Sequence, residues 1–384
     1  MVFKLFKPES QEVRLDSVSF EVHKFSSRKK PGRSNTLIVS CFSEFGCEVL
    51  GCMYCIPRVK KRFPGQYVIA MGWHGRDYLY RHLVDEYWEI KDEYMWLRDF
   101  SMAFHHKSIN LRKLEEEASW HGTVIPSASL GKYAVGNYCI TCGKFWGNWR
   151  LYSDTCPICK STNIIRSVLS DTKHYKGTAC RIPPPSQEKI EWAKSILKPR
   201  TVGIFARARK TYGRNLPADF YMNLVKLLKG LGYNVIFLGE KQNTLACPVD
   251  DVIDFSRLPE SRNLENTLAI ISNLEFTIQF WTASTRLSGI LGVPFLLFES
   301  PEQIYCSGLM YGQEGKRLEL TSFGPKKLVI AHYLNVKENP GQAIEVVRQA
   351  VEEMQSGNYG DLIGMVECQK ATENLQIDHY KSLR

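Results

Sequence analysis

At 384 residues the chain is long enough for two ordinary domains, and 44% apolar with 23% charged residues is the make-up of a globular protein with its own core. No run approaches the ~18 apolar residues of a membrane-spanning helix, and MVFKLFKPESQEV lacks the apolar centre of a secretory signal, so a cytoplasmic protein is expected. A formal charge of +10 favours acidic partners, whether nucleotides, nucleic acid or lipid headgroups, and does not choose among them.

Residues 1–35 are polar, end in SSRKKPGRSN, and read as an N-terminal extension or flexible lead-in. An α/β domain over 36–185 follows. Its first strand is 36–40, succeeded by the glycine-containing turn and helix SEFGCEVLGCMYCIPRVKKRFPG, which stops before Pro64. A strand over 67–71 comes next. GRDYLYRHLVDEYWEI reads as helix leading to a short strand at 87–90, and a charged helix at 110–119 precedes a strand at 123–125. A cysteine-rich insert breaks the pattern within 132–166. RIPPP at 181–185 is extended by its prolines and serves as the connector.

The second domain covers 186–340 and opens with a helix at 186–197. Its clearest stretch is 201–240, where two short apolar runs flank Phe220, Tyr221, Leu224, Leu227, Leu228 and Leu231 at helical spacing. That strand-loop-helix-strand unit is the building block of a parallel sheet. Strands at 251–255, 275–281, 294–299 and 328–333 and helices at 264–272 and 282–291 complete it. Residues 341–384 hold an amphipathic helix at 342–354 and a polar tail beyond 357, expected to be partly disordered.

Twelve cysteines in so large a chain do not call for a disulfide scaffold. Cys139, Cys142, Cys156 and Cys159 form two C-x-x-C pairs thirteen residues apart, within a ribbon marked at 137–162. Each pair suits a tight knuckle, and two knuckles complete a tetrahedral thiolate site for Zn2+. With all four positions taken by protein, that ion is structural. Cys52 and Cys55 share the C-x-x-C form but lack a second pair at ribbon spacing, and read as core cysteines.

The loop leaving the strand at 202–205 carries Arg207, Arg209, Lys210 and Arg214. Ligands of open α/β sheets bind at the carboxyl ends of strands, so cations there point to a phosphate-bearing ligand; the plain alternative is a solvated basic loop. Trp281, Thr282, Ala283 and Ser284 open a later helix, where backbone N–H groups and hydroxyls suit a phosphate or simply cap the helix. His74, His105 and His106 read as cleft residues or, more simply, as surface residues, and Trp73, Trp96 and Trp120 as core or as platforms for a sugar.

These elements resemble the GT-B glycosyltransferases, especially the heptosyltransferase-like family. RNLP at 214–217 stands where that family has a K-x-W-P-type element, and WTASTR with LSGILGVP stands where it has D-T-G-x-x-H and L-A-A-x-L-G-x-P. Thr282 keeps the family's residue, while Trp281, Ala283 and Arg286 replace its Asp, Gly and His. Near the N-terminus, Gly46, Glu48, Pro57 and RFPG at 62–65 follow the family's glycine-acid turn, helix, proline and basic element, with three additional residues between acid and proline. The resemblance implies two Rossmann-like α/β domains in the GT-B architecture, here with a zinc-ribbon insert. It implies a nucleotide-sugar donor held by the second domain, metal-independent inverting transfer, and an acid base on the first. Glu48 inherits that role by position, with Glu44 its neighbouring rival.

The acceptor stays open among a glycan, a lipid carrier and a modified nucleic acid base. Two other readings stand beside this one: a zinc-ribbon nucleic-acid-binding protein without catalysis, and a sugar-nucleotide epimerase of the same architecture.

Overall fold

Runs rich in Val, Ile, Tyr and Phe become strands here because β-branched and aromatic side chains fill a sheet covered on both faces. The computed structural model describes residues 11–15, 18–42, 45, 48, 56, 59–60, 63–97, 109–125, 137–139, 141–142, 145–146, 155–162, 164–166, 182–208, 215–280, 284, 287–288, 291, 293–299, 329–333 and 340–355. The chain divides into two units, 1–173 and 174–384.

The first unit holds β1 (Gln11–Arg14), β2 (Ser19–Lys24), β3 (Thr36–Ser40), β4 (Tyr67–Gly72), β5 (Glu86–Ile90) and β6 (Thr123–Ile125) in one sheet ordered β1-β2-β5-β4-β3-β6. Strands β5, β4, β3 and β6 are parallel, whereas β1 and β2 form an antiparallel hairpin on the β5 edge. Residues 11–24 are therefore sheet and not a flexible lead-in. The physical reason is alternation: Phe20 and Val22 face the core while Glu21 and His23 take the other face. Phe20 is fully buried, its ring centroid 6.5 Å from Phe42 and 6.1 Å from Trp88.

The helix expected from GRDYLYRHLVDEYWEI shrinks to one turn, α1 (Asp77–Tyr80). After a turn at 81–83, Asp85 anchors the next strand. This buried carboxylate accepts the Val68 N–H at 2.9 Å, and the Asp85 N–H donates to Val68 O at 2.8 Å, which starts β5 alongside β4. The amphipathic α2 (Ile109–Ala118) places Leu111, Leu114 and Ala118 in the core.

A separate three-stranded antiparallel sheet forms the ribbon: β7 (Asn137–Cys139), β8 (Phe145–Trp146) and β9 (Ile164–Arg166), ordered β8-β7-β9. Its third strand carries the ribbon past residue 162.

The second unit begins with α3 (Gln187–Ile196) and continues with β10 (Thr201–Ile204), α4 (Ala218–Gly230), β11 (Asn234–Phe237), β12 (Ile253–Asp254), α5 (Leu264–Ser272), β13 (Phe276–Phe280), β14 (Phe295–Glu299), β15 (Val329–Tyr333) and α6 (Pro340–Gln355). All six strands are parallel, ordered β12-β11-β10-β13-β14-β15. Counted along the unit this is 3-2-1-4-5-6, the order of dinucleotide-binding doubly wound sheets. Helix α4 buries Phe220, Tyr221, Leu224, Val225, Leu227 and Leu228, and Val347 and Val351 of α6 join the same cluster. Gly203 has no room for a side chain: an added Cβ would lie 2.6 Å from Leu274 Cδ1 and 2.9 Å from Leu238 Cδ1.

Cys52, Cys55 and the tail beyond 357 lie outside the described residues, as does most of the helix expected at 282–291. Among the described residues no helix is long and apolar enough to cross a membrane.

If residues 11–24 are core-bearing sheet, Phe20→Ala costs about 3–5 kcal/mol, as large-to-small changes of a buried aromatic do. Denaturant titration reads this directly, and an unchanged midpoint would restore the lead-in reading.

Candidate functional site

Parallel strands deliver the segments that follow them to one edge of the sheet, and crevices form where the strand order reverses. In the first unit that reversal falls at β3, flanked by β4 and β6. Glu48 belongs to the stretch leaving β3 and is 0% exposed. A carboxylate so deep needs compensation, which the segment after β4 supplies. The Tyr80 hydroxyl donates to Oε1 at 3.1 Å and Arg76 Nε lies 3.6 Å from Oε2. Arg76 in turn sits over the Phe45 ring at 4.0 Å, and Tyr80 stacks on Tyr87 with centroids 5.1 Å apart. Tyr87 donates to the Trp73 carbonyl at 2.7 Å; its phenol is pushed well above its ordinary pKa, first by burial and then by the Glu48 charge. Glu44 lies outside the described residues.

A second buried carboxylate belongs to the same unit. Glu89 of β5, with its side chain 6% exposed, lies 2.7 Å from His74 Nδ1 and 3.4 Å from His23 Nε2. Burial alone would raise the Glu89 carboxyl, but the two imidazoles overcome it and hold the pKa at about 2. Burial likewise opposes the charge on His23, and Glu89 outweighs it, so His23 is raised. Asp77 is raised by burial and by the Glu89 charge, against the pull of His23.

His74 is not the surface residue expected from the sequence. It is half-buried, and its Nδ1 is tied to a carboxylate, which fixes the tautomer whose lone pair sits on Nε2. Such an imidazole can take a proton from a hydroxyl. Trp73 packs edge-on against Phe42 at 4.8 Å in the core, whereas Trp120 is 76% exposed. His105, His106 and the Trp96 side chain lie outside the described residues.

In the second unit the order reverses between β10 and β13. Arg207 follows β10 and is 9% exposed, not part of a freely solvated loop. A short ladder pins it: Arg207 bridges Thr244, Leu245 N–H donates to Ala206 O at 2.7 Å, and Ala208 N–H donates to Asn243 O at 2.8 Å. Gly239, at φ +134°, makes the turn after β11 that lets Thr244 come close. Ser284 follows β13 in the start of a helix. Thr277, Gln279 and Ser288 tie that helix to the strand, with Thr277 Oγ1 3.0 Å from Ser288 Oγ and Gln279 Nε2 3.2 Å from Thr277 Oγ1. Arg207 and Ser284 thus follow the carboxyl ends of neighbouring strands. Arg209, Lys210, Arg214, Trp281, Thr282 and Ala283 lie outside the described residues.

The ribbon brings its four predicted cysteines together, with all four sulfurs within 4.8 Å of one another. Cys139 Sγ is 3.5 Å from Cys159 Sγ, and Cys142 Sγ is 3.7 Å from Cys156 Sγ; all four are free thiols. Sulfurs about 2.3 Å from a tetrahedral ion stand about 3.8 Å apart, so the spacing fits one ion and not disulfides. Local backbone builds the second knuckle. Lys160 adopts φ 57°, its N–H donates to Cys156 O at 2.9 Å, and the Cys159 N–H points at Cys156 Sγ from 3.5 Å. Burial opposes a thiolate at Cys139, but the Cys142 N–H and neighbouring groups bring its pKa to about 7.

Sequence reading missed Arg76, Tyr80, Glu89 and His23. The signal available was a strand, EYWEI, whose buried face carries acids, and a hairpin strand with a histidine between polar residues.

No protein-family model matches the chain, and neither does any curated protein. Solved structures are similar at low identity. A glycosyl transferase family 9 protein from Veillonella parvula DSM 2008 is 12% identical over 92% of this chain and 100% of its own, with a TM-score of 0.40. ADP-heptose LPS heptosyltransferase II from E. coli is 12% identical over 83% and 99%, with a TM-score of 0.43. The wall teichoic acid polymerase TagF is 13% identical over 91% and 90%, with a TM-score of 0.29.

Proposed function

We propose that the protein is a glycosyltransferase that moves a sugar from a nucleotide-sugar donor to a hydroxyl acceptor with inversion and without a catalytic metal. One observation carries the reading: each unit has parallel strands with a strand-order reversal, and a buried charged residue of the predicted set follows the first strand at each reversal, Glu48 after β3 and Arg207 after β10. Dinucleotide-type sheets bind nucleotides at that place. Arg207, with Arg209, Lys210 and Arg214, offsets the charge that builds on the departing diphosphate, and the helix expected at 282–291 would offer N–H groups to it.

Two groups compete for the acceptor's proton. Glu48 has the position that the resemblance assigns. It is fully buried, with the Arg76 guanidinium 3.6 Å from one oxygen and the Tyr80 hydroxyl donating to the other. His74 is half-buried, and Glu89 orients it as a carboxylate orients a catalytic imidazole. The acceptor is a glycan, a lipid carrier or a modified nucleic acid base. The charge of +10 and the ribbon also favour a non-catalytic nucleic-acid binder, which would bind RNA or DNA with a steep salt dependence and ignore nucleotide sugars.

For the ribbon we propose zinc, since four thiolates in a tetrahedron suit zinc or iron and a closed site suits a structural ion.

Thermal-shift titration with UDP, GDP, ADP and CMP and their sugars is expected to give stabilisation by one base series. Silence across the panel beside tight RNA binding would sink the enzyme reading. Arg207→Ala and the loop variant Arg214→Ala should each weaken the donor roughly ten- to hundredfold, as loss of a charge-assisted hydrogen bond does, while circular dichroism is unchanged. If His74 takes the proton, donor turnover falls as pH drops through the imidazole range and His74→Gln removes that limb. A profile flat down to the carboxylate range would give the role to Glu48. Metal analysis should find about one zinc per chain, lost in Cys139→Ser together with the ribbon's fold. A metal-free wild-type protein would refute the assignment.

A further inference from the structure

On the side of Glu89 away from His74, the first unit carries a cluster that the transfer reaction leaves unassigned. In the antiparallel ladder between β2 and β5, Glu21 pairs directly with Glu89. Like charges so placed destabilise a ladder unless a cation sits between them. His23, two positions along β2, shares their face. One ligand atom from each of Glu21, His23 and Glu89 lies within 4.8 Å of the others. Nε2 of His23 is buried and lies 3.4 Å from Oε2 of Glu89, long for a hydrogen bond to a carboxylate. Donors about 2.1 Å from one ion, at angles of about 90–109°, stand about 3.0–3.4 Å apart. A separation poor for a hydrogen bond is therefore right for two ligands of one metal. The other oxygen of Glu89 is held by His74 Nδ1 at 2.7 Å, the kind of outer partner that orients a ligating carboxylate.

We propose that Glu21, His23 and Glu89 bind one divalent transition-metal ion, of the manganese, iron or zinc type, which clamps the N-terminal hairpin to β5. One imidazole and two carboxylates make a mixed nitrogen and oxygen donor set, which suits these ions better than calcium or magnesium. Glu21 is exposed, so water completes the coordination from outside. Two ligands come from β2 and one from β5, and the ion crosslinks the strand pair while it neutralises both carboxylates. Nothing in this depends on the glycosyltransferase reading.

The test uses the full chain with its four-cysteine site loaded, dialysed against a mild chelator and titrated with Mn2+, which four thiolates disfavour. Free Mn2+ is followed by electron paramagnetic resonance. One saturable Mn2+ per chain is expected, with affinity at least about tenfold weaker in Glu21→Gln and in His23→Gln. Glu21→Gln alters an exposed residue, and its circular dichroism checks that the fold survives. Affinity should rise between about pH 6 and 8, because the ion displaces a proton from His23. Glu21, Glu89 and Asp77 hold that proton on, and a charged His74 opposes them. No saturable Mn2+, Co2+ or Zn2+ beyond the four-cysteine ion overturns the proposal, as does binding unchanged in both variants. Either result would leave the cluster an ion pair.

Discussion

Parallel strands fix where polar chemistry can collect in this protein. Every strand of the second unit points the same way, so every crossover helix must return, and every segment leaving a strand emerges at one edge. The described bodies of β10 and β11 are buried and mainly apolar. Charge is pushed to the edge, where the order reverses between β10 and β13. Arg207 sits there for that reason, and the ladder to Thr244 keeps it from drifting into solvent.

The first unit meets the same constraint with a heavier load. Among its described residues that unit buries the acids Glu48, Asp85, Glu86 and Glu89, residue types that are rarely buried unless paired. Each is matched locally. Glu48 has Arg76 and Tyr80, Asp85 has the Val68 N–H and Arg28, Glu86 has the Tyr67 hydroxyl and Trp88 Nε1, and Glu89 has two imidazoles. Unmatched, any one of them would cost several kcal/mol. Such density is a poor way to stabilise a sheet and a good way to hold reactive groups still.

That load also governs what could be read from the sequence. The second unit was legible almost element by element, because apolar runs such as VGIF and NVIF and the 3.6-residue stripe of α4 each obey one rule. The hairpin of β1 and β2 was hidden because one face of β2 presents Glu21 and His23, which in isolation look like solvent residues. EYWEI gave its strand, but the preceding helix was overdrawn. Tyr78, Leu79 and Tyr80 show helical apolar content, while Asp85, which anchors the start of β5, acts through Val68, far away in sequence.

The two candidate metal clusters show the same divide. In the ribbon, two ligands of each pair are three residues apart on one knuckle, so spacing alone announces the site, and the fold only has to bring two knuckles together. Glu21 and His23 are local to each other, but the residue that would turn them into a site, Glu89, comes from a strand reached after β3 and β4 have been laid down between them. Periodicity cannot convey that pairing; only the register of β2 on β5 does. A ligand set assembled across a ladder also depends on that register, since a one-residue slip would turn Glu21 and His23 to the opposite face and bring Phe20 and Val22 out of the core. The burial that fixes the hairpin in place is thus the same force that sets two carboxylates against each other, and the imidazoles beside them are the local means of making that register tolerable.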